Sequence, residues 1–214
     1  MRQISLSFPI LSLLAAACAG GGGRADPPVA PPALQPAGGW RAVISDADRA
    51  RLRGWRESWV AALARANASG ARAKVAAEGA LLQPDRALPG VLPPVGLYRC
   101  RTTKLGARSP GLLDYVAYPA FSCRIAAGPN GTLSLVKLNG SQRPVGTLYP
   151  QDDRRMIFLG TMMLGDERRA LEYGRDPERD LVGGIERIGP LRWRLLLPAP
   201  RWESLFDVVE LVPA

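Results

Sequence analysis

The chain contains no histidine. That one absence removes Ser-His-Asp and Cys-His catalysis, histidine zinc sites and the commonest general base together. Lysine is scarce: only Lys74, Lys104 and Lys137 occur, so arginine carries nearly all of the positive charge. Cysteine is limited to Cys18, Cys100 and Cys123. The chain shows no internal repeat, and no second linker follows residue 40. What chemistry remains rests on carboxylates, arginines, tyrosines and three lysines. No catalytic or cofactor signature stands out among them, and no cofactor or metal is expected.

The start of the chain carries the clearest message. Met1-Arg2-Gln3 is a short basic segment, and residues 4–17 form an apolar run ending in small residues, too short to span a bilayer as a helix. This is the pattern of a secretory signal peptide. It closes on Leu14-Ala15-Ala16-Ala17-Cys18, which resembles the lipobox of bacterial lipoproteins, with Ala15 where leucine is usual. Cys18 is therefore the expected lipid attachment site, and ordinary cleavage at an Ala-x-Ala site is the alternative. Residues 19–39 are almost entirely glycine, alanine and proline, which cannot bury enough apolar surface to offset the entropy of ordering. They read as a disordered tether spanning roughly 25 Å. The expected organisation is a leader over 1–18, a tether over 19–39 and one globular domain over 40–214.

Within that domain, Ser45 and Asp48 have the spacing of a helix start. After them Leu52, Trp55, Trp59, Leu63 and Ala66 recur at steps of three and four, the stripe of an amphipathic helix, with Gly70 as its stop. A weaker helical pattern covers 71–82. Pro84, Pro89, Pro93 and Pro94 then exclude helix. The stretch 97–101 alternates apolar and basic residues with period two, so Leu97 shares a face with Arg99 and Cys100 shares the other with Tyr98. Residues 115–125 read as a strand interrupted by Pro119. Asn130-Gly131 and Asn139-Gly140 favour type I′ turns bracketing a strand over 132–138. Further strand candidates lie at 145–149, 155–164, 169–173, 181–188, 191–197 and 205–212. The fold class is α+β: an N-terminal helix or helix pair, then an eight- or nine-stranded antiparallel meander curled into a barrel or a sandwich.

Cys100 and Cys123 lie on the two strand-like halves of 96–125. A bridge between them closes 23 residue steps, worth about 3 kcal/mol by chain entropy. Two buried thiols are the alternative, and an oxidising compartment favours the bridge.

The segments Gly96-Leu97-Tyr98-Arg99-Cys100-Arg101, Gly140-Ser141-Gln142-Arg143-Pro144, Phe158-Leu159-Gly160-Thr161, Leu164-Gly165-Asp166-Glu167 and Glu186-Arg187-Ile188-Gly189 to Arg192-Trp193-Arg194-Leu195, in this order, resemble domain-of-unknown-function family 4893, a family of exported bacterial proteins. The resemblance covers nearly all of the chain after the tether. It implies no activity. It does imply that these polar stretches belong to a shared pattern.

Two motif matches fail on their own terms. Ser134 and Lys137 have Ser-x-x-Lys spacing, but on a strand they point to opposite faces. Asp176, Glu178 and Asp180 have the spacing of a calcium loop, but Leu181 and Arg187 stand where that loop needs glycine and glutamate. Polar residues otherwise concentrate in loops, and Gln142, Arg143, Asp166 and Glu167 are the candidate binding residues; a network of surface ion pairs is the plainer account.

The formal charge is +9, and +8 once the leader's one arginine is removed. The arginines form no run, so nucleic acid is not an expected partner, whereas an anionic envelope surface is. These features lead us to expect a periplasmic, membrane-anchored, monomeric binding or interaction module without enzymatic activity. A binding module requires a cavity lined by residues such as Trp55, Phe158, Met162 and Trp193. The alternative, a carboxylate-dependent hydrolase of an envelope component, requires two converging acids in a cleft.

Overall fold

The computed structural model describes residues 39–214. The leader, Cys18 and all of the tether but Gly39 lie outside the described residues. Three short helices, α1 (Asp46–Arg53), α2 (Trp55–Ala66) and α3 (Arg72–Ala77), precede nine strands. These are β1 (Gly96–Ala107), β2 (Tyr115–Ala117), β3 (Phe121–Ala127), β4 (Leu133–Lys137), β5 (Gln142–Pro150), β6 (Met156–Leu164), β7 (Asp180–Gly189), β8 (Arg192–Pro198) and β9 (Ser204–Pro213). All pairings are antiparallel. From β3 onward each strand pairs with the next, and β9 returns to β1 from Tyr98↔Pro213 to Ala107↔Ser204. Eight strands thus close into a barrel, which abolishes the exposed edges. β1 is long enough to take β3 along Gly96–Cys100 and the short β2 along Thr103–Leu105 on one edge.

The expected helix start is present. Ser45 adopts extended backbone angles, and its Oγ accepts from the Asp48 amide at 3.2 Å. The expected single helix is two, divided at Gly54; after α2 a wider helical turn, Asn67–Ala71, carries the chain on to Gly70, whose left-handed conformation (φ +88°) breaks it. Two strand readings differ from the structure. Residues 169–173 lie in the loop after β6, because Glu167, Arg179 and Asp180 tie that loop to itself. Pro119 splits 115–125 into β2 and β3. Asn130-Gly131 forms the left-handed pair of a type I′ turn, whereas at Asn139-Gly140 only Gly140 has positive φ. The Asn139 carbonyl oxygen Oδ1 instead accepts from the Ser122 amide at 2.9 Å.

Alternation decides what fills the barrel. Tyr98 and Cys100 point inward, Leu97 and Arg99 outward, and Ile125, Leu135, Leu148 and Phe158 join the interior. Cys100 and Cys123 are bridged inside the wall, their Cα atoms 5.9 Å apart. β3 and β4 alternate cleanly because their outer face meets solvent, while β6 and β7 are buried almost without a break, β6 by apolar residues and β7 with Asp180 and Glu186 buried among them. The reason is that α1 and the segment before it cover β6 and β7 from outside, with Trp40, Val43 and Leu52 packed against Ile157, Leu159 and Val182, while α2 covers β1, β8 and β9. Trp59 is fully buried there and stacks on Phe206 with ring centroids 5.5 Å apart, so its role is packing. Beside it the fully buried Arg194 pairs with Glu186 at 2.7 Å, donates to the carbonyls of Ala80, Leu81 and Gln83, and lies 4.5 Å over the Trp59 ring. A buried arginine with all three of its nitrogens hydrogen-bonded acts as a clamp between layers.

The two ends of the barrel differ. The proline-rich segment 84–95 crosses one end, where the Trp193 indole donates to the Val91 carbonyl at 2.7 Å and the Tyr98 hydroxyl donates to the Pro94 carbonyl at 2.5 Å. Val91 is buried against Trp193 and Met156 as a plug. The other end stays open.

Candidate functional site

The open end holds a cavity of about 310 Å³. Its walls come from positions that continue the inward phase of the strands. Phe121, Pro144, Met162, Leu197 and Val209 make the apolar side; Lys104, Lys137, Gln142, Glu203 and Asp207 make the polar side. Charged side chains at inward positions near a strand end are the feature that distinguishes this end from the plugged one. Two glycines, Gly146 and Gly160, face each other across β5 and β6, with the Phe158 ring packed against both. A methyl group on either would meet the opposing backbone oxygen at 2.4 and 2.3 Å respectively.

Lys104 is the hub of the polar wall. Its Nζ donates to Gln142 Oε1 at 3.0 Å and pairs with Glu203 Oε2 at 3.1 Å and Asp207 Oδ2 at 3.4 Å. Gln142 Nε2 donates in turn to Glu203 Oε1 at 3.3 Å, and the Ser204 hydroxyl donates to Asp207 Oδ1. Burial pushes the Asp207 carboxyl up, against the pull of Lys104. Burial also works to lower Lys104, but Asp207 and Glu203 outweigh it and leave the ammonium raised.

Lys137 stands apart from this network. Its Nζ donates to the backbone carbonyl of Gln142 at 2.9 Å and lies 3.6 Å over the Phe121 ring, with no carboxylate in ion-pair range among the described residues. Burial first, and then the nearby Lys104 ammonium, lower it to about 8. Gly140 makes this placement possible, since a side chain there would come within 3.1 Å of the Lys137 nitrogen and 3.0 Å of the Phe121 ring.

Glu203 is delivered by a strained hairpin. Ala199 and Glu203 have φ of +45° and +64°, a region that non-glycine residues seldom occupy. The loop is held from outside: Arg51 donates to the Ala199 carbonyl at 3.2 Å and Arg108 to the Pro200 and Arg201 carbonyls at 2.9 and 3.1 Å. Strain retained under such restraint clusters at working sites.

Of the four residues expected to bind, the structure brings Gln142 alone to the cavity. Arg143 donates to the carbonyls of Leu164, Gly165 and Glu167, while Glu167 accepts from the Leu164 amide at 2.8 Å and pairs with Arg179. These two brace the loop between β6 and β7, and Asp166 is exposed on it. Of the four expected cavity residues only Met162 is at the cavity. Phe158 and Trp193 fill the deeper interior, and Trp55 lies outside the barrel with Arg155 4.0 Å over its ring. Lys104, Lys137, Glu203 and Asp207 were not singled out from the sequence as a site. Lys104 is on the same face as Tyr98 and Cys100, and Lys137 on that of Leu135, so a charge at an inward phase was the available signal.

The calcium-like triplet does not converge: Asp180 accepts from the Gly174 amide at 3.0 Å and Glu178 pairs with Arg201 at 2.7 Å. Ser134 and Lys137 lie on opposite faces of β4, as the strand reading requires.

None of the curated proteins and none of the solved structures matches the chain. The family model described as "Domain of unknown function (DUF4893)" matches residues 40–211, nearly all of the described chain, and the protein belongs to that family.

Proposed function

We propose that the protein is a binding module of the cell envelope, held to the membrane by a lipid on Cys18, whose barrel mouth takes a small, largely apolar molecule with one polar or anionic head. The observation that carries this reading is the asymmetry of the barrel, plugged by Val91 at one end and hollow at the other. A filled barrel with an outward recognition loop would suit a protein-binding role better. The cavity volume is at the small end of ligand sites, which suits a compact ligand bound singly. Apolar walls would take its body, and Lys137, a cavity cation with no carboxylate in ion-pair range among the described residues, would take its head. The buried disulfide favours an oxidising compartment, and the net positive charge favours an anionic envelope surface over a neutral one.

The hydrolase alternative has one observation in its favour: Glu203 and Asp207 both line the cavity, and burial raises Asp207. Against it, Lys104 sits between the two acids, and their remaining oxygens are taken by Gln142 and Ser204. Carboxylates so occupied suit anchoring of the lysine better than proton transfer to a substrate.

Calorimetric titration with short-chain carboxylates tests the binding reading. Hexanoate should bind one-to-one to the wild type and not to Met162→Trp, which fills the cavity. Equal heats for both proteins would remove the cavity as the site.

A further inference from the structure

We infer that Lys137 is a carbonyl-capturing amine: the barrel mouth accepts a small apolar aldehyde or ketone, and the Lys137 side chain condenses with it to a reversible imine. The inference rests on the reading of this cavity as a ligand site and names the ligand's reactive group. Three placements carry it. The Lys137 nitrogen lines the cavity beside the face of Phe121, with one carbonyl oxygen, that of Gln142, as its hydrogen-bond acceptor. The two carboxylates of the mouth are both engaged by Lys104, so the counter-ions that would keep Lys137 charged are drawn to the other lysine. Apolar residues stand across from it, where the body of a carbonyl compound would pack.

Such an environment is what activates a lysine as a nucleophile: desolvation next to a second cation, which favours the neutral amine. With the ammonium lowered to about 8, roughly one Lys137 in ten is neutral at pH 7, against about one in three thousand for an exposed lysine. The step balances without any further reagent. The amine nitrogen attacks the carbonyl carbon, the C–N bond forms, and a proton passes from nitrogen to oxygen to give the carbinolamine. Its hydroxyl leaves as water with a proton from solvent at the open mouth, and the nitrogen returns a proton to solvent. Amine plus carbonyl thus gives imine plus water.

The scarcity of lysine makes the test clean, because the exposed Lys74 and the carboxylate-paired Lys104 are internal controls. The full-length protein is incubated with hexanal and cyanoborohydride at neutral pH, and the reduced adducts are mapped by peptide mass spectrometry. Lys137 should be alkylated at least about tenfold faster than Lys74, with a rate that climbs as pH approaches 8, and hexanoate should protect it. Labelling of Lys137 no faster than Lys74 overturns the imine. In that case hexanoate binding separates the two claims: if the acid still binds, the cavity remains a ligand site and the covalent step alone falls, and if it does not, both fall. In Lys137→Arg the fast lysine adduct should vanish while hexanoate binding persists; a fast adduct on Lys74 or Lys104 in that variant also overturns the assignment.

Discussion

Lys104 and Asp207 stand directly opposite each other on β1 and β9, the strands that close the barrel, and both are buried. One contact therefore serves closure and cavity together. Lys104→Met leaves the Asp207 carboxyl buried without its cation and should cost about 3 kcal/mol in urea unfolding. Replacing both, as Lys104→Met with Asp207→Leu, should recover most of that loss. A double variant no more stable than the single one would show that the pair is not the cause.

The pH dependence of stability should carry the signature of Lys137. Its folded value of about 8 lies below the ordinary 10.5. Between those values the unfolded chain holds the proton and the folded one does not, so this group's contribution to stability rises with pH across the window. Below about pH 8 both states are protonated and the fold bears the buried charge. The stability of Lys137→Met relative to wild type should therefore be greatest near neutral pH and decline from about pH 8 to 10 in thermal unfolding. A flat difference would place the ammonium at its ordinary value.

Replacing both bridged cysteines by alanine should lower stability by about 3 kcal/mol, the entropy of a loop of 23 residue steps. Because Cys100 and Cys123 are 1% and 0% exposed, dithiothreitol without denaturant should leave the bridge intact over hours and reduce it rapidly in urea. Quantifying free thiols with time distinguishes a buried bridge from an accessible one.

Gly146→Ala and Gly160→Ala should each abolish folding or cost more than about 3 kcal/mol, because the added carbon meets backbone at 2.4 and 2.3 Å. Gly174→Ala, with positive φ but open space around it, should cost only about 1 kcal/mol. Circular dichroism and unfolding midpoints of the three variants separate crowding from backbone strain.

Local physics made much of the fold legible in advance. Ser45, Gly70 and the period-two alternation at Tyr98 and Cys100 act within a few residues, and each behaves as its chemistry requires. The site was less legible because it is assembled by closure. Lys104 and Asp207 are about a hundred residues apart in sequence, and only the return of β9 onto β1 brings them together. Polar density along the chain pointed to Arg143 and Glu167, but their partners are the backbone of the adjacent loop and, for Glu167, the Arg179 side chain on it. Glu203 could not be read at all, since its position depends on a left-handed conformation imposed by Arg51 and Arg108 from other elements.

The most direct measurement is native mass spectrometry of the protein exported to a periplasm and purified without detergent, in wild-type form and as Met162→Trp. The account predicts one discrete small adduct on the wild type, lost on collisional activation and missing from the variant. A wild type that is repeatedly free of any adduct, and that takes up neither hexanoate nor hexanal when these are added, would contradict it.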